Sequence, residues 1–286
     1  MANSVPEAFV KAYHANVSVK YFENGGKLAG IPGEIHDGVT AETDHYELVQ
    51  QVEAAEKTTQ FEEQPNLNPE HFKRSVNLRD FYFNAYIDKQ DRLRLLADPQ
   101  GPYTQNALEA LRRKGDALRY SALRGSVLQG KVNPATITLP AAQKIAVGTG
   151  PFSVEKVMDA AALLNKNNVP MENRYLVINW AGLDDMLREV EIGSVDYNEV
   201  KALMTGQIRF WMGFTWILYN YAVEAGTYFS VACHPSALGE SRAQDVFTSA
   251  DILPTKHFLT QVYASMNMNA LRLQEEGVVE IAHTHA

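Results

Sequence analysis

A chain of 286 residues with 45% hydrophobic content carries enough apolar material for one large domain or two smaller ones, in the soluble globular class. Its 26 Lys and Arg against 34 Asp and Glu leave a formal charge of −8, which argues against a protein whose affinity comes from neutralising phosphates. The single Cys233 excludes an internal disulfide framework, and the lack of a signal-type apolar core at the N-terminus or of any bilayer-length apolar run makes export and membrane insertion unexpected.

Residues 1 to about 40 interleave apolar residues with NGG, GIPG and HDG turn signals, too broken for a compact unit, and read as an arm. Phe9, Tyr13, Val17 and Tyr21 fall four apart and would stripe a short helix that needs another surface, which makes Phe9 and Tyr13 candidate subunit contacts. Residues 46–87 read as a long two-stranded excursion around a turn cluster at 64–69, with Phe72, Val76 and Leu78 on one side and Lys73, Ser75, Asn77 and Arg79 on the other. An isolated hairpin is marginally stable in water, so this one is expected to rest on a neighbour through residues such as Phe61, Phe72 and Arg74. A hairpin folded back on its own domain fits the pattern equally well.

Residues 102–125 are the clearest single element. Leu108, Leu111, Gly115, Leu118 and Ala122 lay one apolar stripe along a helix, while Arg112, Arg113, Asp116 and Arg119 are expected to keep the remaining surface wet. Pro102 suits the first turn and Gly125 the end, giving a rod of roughly 33 Å. Residues 126–151 follow as a connector with strand-like pieces, and its Gly148-Thr149-Gly150 lacks the third glycine of a dinucleotide fingerprint.

Residues 153–231 change character to an α/β unit. Ser153 can cap a helix with Val157, Ala161 and Leu164 on one face, stopped by Asn167, Asn168 and Pro170. Residues 174–180, RYLVINW, read as a strand buried on both sides, 182–189 as a second helix, and 196–206 as a third, begun by Asp196 and Glu199. Asp184 and Asp185 are adjacent and diverge on a helix, so they read as dipole partners rather than paired catalytic acids. Trp211, Phe214 and Trp216 read as core, with only Arg209 to support base stacking, and Cys233 as a structural thiol beside a surface His234. Toward the end, Phe258, Thr260, Val262, Ala264, Met266 and Met268 share a strand face, and 278–282 gives another strand. Together these would close over the long helix. His283 and His285 are too few for a metal site and read as a frayed terminus.

This order of parts resembles the major capsid protein of tailed bacteriophages, the Johnson fold first known from phage Hong Kong ninety-seven. The likeness is carried by AYIDKQDRLRLLADPQGPYTQNALEAL with RRKGDALRYSALRGSVLQGK, by the stretch from VEKVMDAAALLNKNNVPMENRYLVINW to IRFWMGFTWILYN, and by the closing LRLQEEGVVEIAHT. It implies an α+β fold: N-terminal arm 1–45, extended loop 46–87, peripheral domain 88–152 with a spine helix, axial domain 153–255 and C-terminal peripheral strands 256–286. It further implies a structural protein that self-assembles into hexamers and pentamers of an icosahedral shell around double-stranded DNA. Assembly would take place in the host cytoplasm with a scaffolding protein and portal, and the product would be the virion. No catalytic residue, cofactor, metal or membrane contact is implied. Two other readings remain at this point: an encapsulin-like compartment shell with the same fold, and a soluble α/β enzyme on residues 153–233 using Asp184, Asp185, Cys233 and His234.

Overall fold

The structure is a computed structural model that describes residues 24–56, 66–88, 100–130, 134–148, 150–189, 209–221 and 223–285. The expected arm helix at Phe9 to Tyr21 and the helix at 196–206 lie outside the described residues. Chain contacts divide the protein into two units, one of residues 1–26, 80–114 and 245–267 and a larger one of residues 27–79, 115–244 and 268–286.

The larger unit is built on a six-stranded sheet. Its strands are β7 (Lys144–Ile145), β8 (Tyr175–Ile178), β9 (Phe210–Trp211), β10 (Phe214–Leu218), β11 (Tyr228–Cys233) and β14 (Val278–His283), in the order β7-β14-β11-β8-β10-β9. The two-residue period of a strand sends Leu176, Ile178, Ala232, Val279 and Ile281 to one face and Val177, Val231, Cys233 and Val278 to the other. Both faces are covered, which is why RYLVINW is apolar without alternation.

On the first face lie α2 (Val154–Lys166) and α3 (Trp180–Glu189), contributing Val157, Ala160, Leu164 and Met186 to a core with Phe152 and Phe214. Ser153 caps α2 as expected, its side chain accepting from the Lys156 amide. The second face packs against Tyr120 and Leu123 of the long helix α1 (Gln100–Arg124) and against Leu28 and Ile31. Those last two residues are fully buried, so the segment from Lys27 onward belongs to the core rather than to a free arm. Gly33 then enters β1 (Glu34–Asp37) so close to the short turn Pro235–Ala237 that a Cβ would stand 2.6 Å from the Pro235 backbone.

A second sheet joins β2 (Thr43–Val49), β3 (His71–Asn77), β5 (Val127–Gln129) and β6 (Ala135–Ile137) in the order β2-β3-β5-β6. The hairpin register runs from Thr43 opposite Asn77 to Val49 opposite His71. The expected excursion is therefore a hairpin, but its root is part of the body: Tyr46 and Val76 are buried with Val127, Leu271 and Leu273. Its second stretch also divides, because β4 (Arg79–Ile87) joins a different sheet with β1, β12 (Leu238–Leu253) and β13 (Leu259–Arg272), in the order β1-β12-β13-β4. On β13 the expected face holds, with Val262, Ala264, Met266 and Met268 buried, while Phe258 stays 60% exposed just before the strand.

Helix α1 shows the stripe, with Leu111, Gly115 and Leu118 buried, but two of its expected wet residues are corrected. Asp116 and Arg119 are only 1% and 5% exposed. Asp116 accepts from the Lys27 and Leu28 amides at 3.0 and 3.1 Å, and Arg119 donates to both carboxylate oxygens of Glu240 at 2.8 and 2.9 Å and to Asp116 at 3.2 Å. Burial alone would raise the Glu240 carboxyl. Its bonds to Arg119 and Arg242 outweigh that and hold it below the usual carboxylate range.

Arg272 is 0% exposed and donates to the carbonyls of Leu123, Gly125 and Ile137 and to Glu275. It thereby satisfies carbonyls that the end of α1 leaves without helical partners. We expect Arg272→Met to destabilise the folded chain by about 3–5 kcal/mol in a denaturant titration, the range for breaking a buried charged pair. A loss below about 1 kcal/mol would refute this role.

The C-terminus is also corrected: His283 is 0% exposed on β14 and His285 Nδ1 lies 2.8 Å from Asp185, so this end is anchored rather than frayed. Burial first, then the nearby Lys156 charge, pushes the His283 imidazole down to about 4. The unfolded chain takes up this proton near pH 6.5, so stability is full above that value and declines as pH falls toward about 4, by roughly 3 kcal/mol. Denaturation midpoints across that window should fall for the native chain and flatten for His283→Gln; parallel pH profiles would count against the assignment.

Candidate assembly surfaces

Two kinds of surface follow from this fold: polar contacts that fix the roots of the reaching elements, and apolar side chains that those elements hold out. At the hairpin root, Arg74 is 5% exposed; its Nη1 donates to the Arg272 carbonyl at 3.0 Å and its Nη2 to Glu275 at 2.6 Å. Burial opposes the charged form of Glu275, yet Arg74 and Arg272 keep its carboxyl below the ordinary range. Arg74 therefore corrects the sequence reading. It fastens the hairpin to its own subunit and has little surface to offer a neighbour. Phe72 is half-buried on β3 opposite Leu48, and Phe9, Tyr13 and Phe61 lie outside the described residues.

Beyond the root the hairpin loses its own partners. Val49 and Leu67 are 58% and 46% exposed and Val52, three residues after Val49, is exposed too, among exposed Glu47, Glu53, Glu56 and Glu70. The backbone ladder continues one step past β2, with the Gln50 amide donating to Glu70 at 2.9 Å. In the smaller unit, β4 turns Tyr82 outward, and Ile252 near the end of β12 and Phe258 just before β13 stand in solvent. His257 and Phe258 both have left-handed backbone there, with φ of 52° and 57°, which is costly for a bulky residue. Around the six-stranded sheet, Met171, Trp180 and Phe210 are more than half exposed. These exposed apolar side chains are spread as single residues over several elements.

The polar inventory of the enzyme reading is dispersed among other partners. Cys233 is fully buried and burial pushes its thiol up to about 12, the state of a structural rather than a nucleophilic cysteine. His234 shares its Nδ1 with Ser236, Asp184 pairs with Arg188, and the buried Asp185 accepts from the Phe152 amide and faces His285. A cleft of about 240 Å³ lies between α1, β3, β5 and the end of β13, floored by Val76, Leu118, Val127 and Leu271, and none of those four polar residues lines it. Among the described residues no group of three His, Cys, Asp or Glu side chains is placed to hold a metal, and no helix is long and apolar enough to cross a membrane.

Sequence reasoning missed the buried ionic residues, since Asp116, Arg119, Glu240 and Arg272 carry no local mark of burial. Their partners lie far away in sequence, as with Arg119 and Glu240, 121 positions apart.

A family model described as phage capsid protein matches residues 5–285. No curated protein matches the chain. Among solved structures, the capsid of cyanophage P-SCSP1u superposes with a TM-score of 0.76 at 14% identity, covering 100% of this chain and 96% of that one. The capsid of Ralstonia phage GP4 gives 0.74 at 10% identity, covering 98% and 96%, and that of cyanophage Pam1 gives 0.73 at 11%, covering 100% and 98%. At such identities the likeness establishes a shared fold, the α+β capsid fold expected from the sequence. The family match supplies the rest: over nearly its whole length, the chain belongs to the phage capsid protein family.

Proposed function

We propose that this capsid protein builds the hexameric and pentameric capsomers of an icosahedral head that encloses double-stranded DNA. Assembly takes place in the host cytoplasm with the help of a scaffolding protein and a portal. The observation that carries the reading is the hairpin: its root is locked by Arg74 to Glu275 and Arg272, while Val49, Val52 and Leu67 beyond it are held out in solvent. A ring of like subunits closes through heterologous contacts, in which one surface meets a different surface on the next copy. A hairpin rooted in one body, with Val49, Val52 and Leu67 exposed beyond the root, is a shape for such contacts. Obligate assemblies bury about 2,000 Å² or more per pair, and protruding segments supply area that a compact globule lacks. The net charge of −8 suits a wall that surrounds DNA without gripping it.

We keep the domain division that the resemblance implies: N-terminal arm 1–45, extended loop 46–87, peripheral domain 88–152, axial domain 153–255 and C-terminal peripheral strands 256–286. A compartment that houses a cargo enzyme would use the same subunit shape, and its particles would hold protein in place of nuclease-protected DNA.

Electron microscopy of the chain expressed alone and with its scaffold should show capsomers or shells; dispersed monomers in both preparations would overturn the proposal. The hairpin gives a sharper test. Val49→Asp with Val52→Asp alters exposed positions, so the monomer's stability should shift by less than about 0.5 kcal/mol per site while assembly falls at least about tenfold by sedimentation. Unchanged assembly would remove the hairpin from the contact. Arg74→Ala should behave differently, lowering the stability of the unassembled chain by about 3 kcal/mol.

A further inference from the structure

Five side chains from three strands meet beside the hairpin root. β1 brings Glu34 and His36, β2 brings Asp44 and Tyr46, and β12 brings Ser241. His36 Nδ1 lies 2.7 Å from Asp44 Oδ2, and its Nε2 lies 3.2 Å from Glu34 Oε1. The imidazole rests flat on the Tyr46 ring, with centroids 4.1 Å apart and planes within 4°. Ser241 donates its hydroxyl hydrogen to Asp44 Oδ2 at 2.6 Å, which leaves the Tyr46 hydroxyl to donate to Ser241 Oγ at 3.0 Å. The other Asp44 oxygen accepts the His45 amide at 2.8 Å.

This arrangement selects one protonation state on geometry alone. A neutral imidazole has a single N–H, so one of its nitrogens would turn a lone pair toward a carboxylate oxygen. The imidazolium donates to both carboxylates and presents a cation to the face of Tyr46. Burial works against the charge, but Asp44 and Glu34 outweigh it and raise the His36 pKa above its ordinary value. Asp44 is likewise opposed by burial and held below its usual range by Ser241, His36 and the His45 amide. The other charges near these strands are already paired: Arg242 with Asp37 and Glu240, and Glu240 also with Arg119. His45 also lies on β2, exposed, with its amide on Asp44, but it is His36 whose ring stands between two carboxylates.

The location gives the cluster a mechanical consequence. β1 lies parallel to β12 in one sheet, whereas β2 belongs to the hairpin's sheet, and the chain joins them through a short connection that starts at Gly38 with φ of 73°. We propose that His36 is a proton-operated latch on the hairpin: charged, its Nδ1–H ties β1 to Asp44 of β2 by a charge-assisted bond beside the Ser241 tie from β12, and neutral, it gives up Glu34 and leaves only an uncharged bond to Asp44, which loosens the root. The sign follows from the raised value. The latch is fully closed below about pH 6.5 and opens as pH rises through the folded-state pKa above it. At the acid end it fails when Asp44 protonates, below about pH 3.8. The proposal does not depend on what the hairpin touches in a shell, because it is tested on the unassembled chain.

Hydrogen–deuterium exchange of the full-length chain at about pH 6 and about pH 8.5, corrected for intrinsic rates, reads the latch directly in peptides covering residues 34–49. Corrected exchange should be faster at the higher pH, by up to about tenfold for each unit by which the His36 pKa is raised. His36→Phe keeps the stack on Tyr46 without a proton, and should exchange quickly at both pH values. Equal protection of the native chain at both, or the same pH dependence in His36→Phe, would overturn the proposal. Should that variant not fold, carbon-13 NMR titration of the native histidines decides. A His36 pKa above about 6.5 that falls in Glu34→Gln supports the latch, and a value at or below about 6.5 overturns it.

Discussion

The arrangement of the larger unit depends on a fully buried guanidinium. Arg272, at the end of β13, holds the carbonyls of Leu123 and Gly125 at the end of α1 and that of Ile137 in β6, and it shares Glu275 with Arg74 of the hairpin. A helix end, a sheet edge and a hairpin root therefore meet on one cation. Burying such a charge is costly unless each of its donors finds an acceptor. With those acceptors in place the geometry is closely specified, because any shift of one element strands polar groups on the others.

The same logic recurs around α1. Arg119 with Glu240 and Asp116 fixes the helix to β12 and to the turn at Lys27 and Leu28. Gly115 in the helix stripe lets β13 come close, since a Cβ there would stand 3.3 Å from the Met268 sulfur. Apolar burial on the two faces of the six-stranded sheet supplies most of the stabilisation. The ionic contacts decide where the helix and the hairpin stand relative to that sheet. Under the proposed assembly this division is useful, because a hairpin that meets a neighbour needs a root that holds position.

What the sequence made legible is what depends on periodicity. Helix α1, the Ser153 cap, the doubly covered strand at RYLVINW and the alternating face of β13 all follow from spacing within a dozen or so residues. Other features were closed to that kind of reading. β12 runs sixteen residues with much of its length exposed, so residues such as Ser241, Gln244, Asp245 and Thr248 give no apolar alternation to detect. Asp116 and Arg119 looked like solvated helix residues because nothing nearby announces that Glu240 will reach them. Arg74 sits on the same side of β3 as Phe72 and Val76, a placement that pointed inward, yet its charge suggested a partner outside the subunit. His283 and His285 looked like an unfastened end until β14 placed them against Ser230 and Asp185. The candidate contacts at Phe9, Tyr13 and Phe61 keep their status as proposals, and the exposed hairpin valines and Leu67 add to them.

The central claim is that each subunit spends the polar residues at the hairpin root on itself and the apolar residues beyond it on a neighbour. A cryo-electron microscopy map of assembled particles, at a resolution that shows side chains, tests this most directly. The account predicts Arg74 still joined to Glu275 and the Arg272 carbonyl within one subunit, with Val49, Val52 and Leu67 covered by an adjacent copy. A map in which those three side chains face solvent or fold back on their own subunit, or in which Arg74 reaches across to a neighbour, would contradict it.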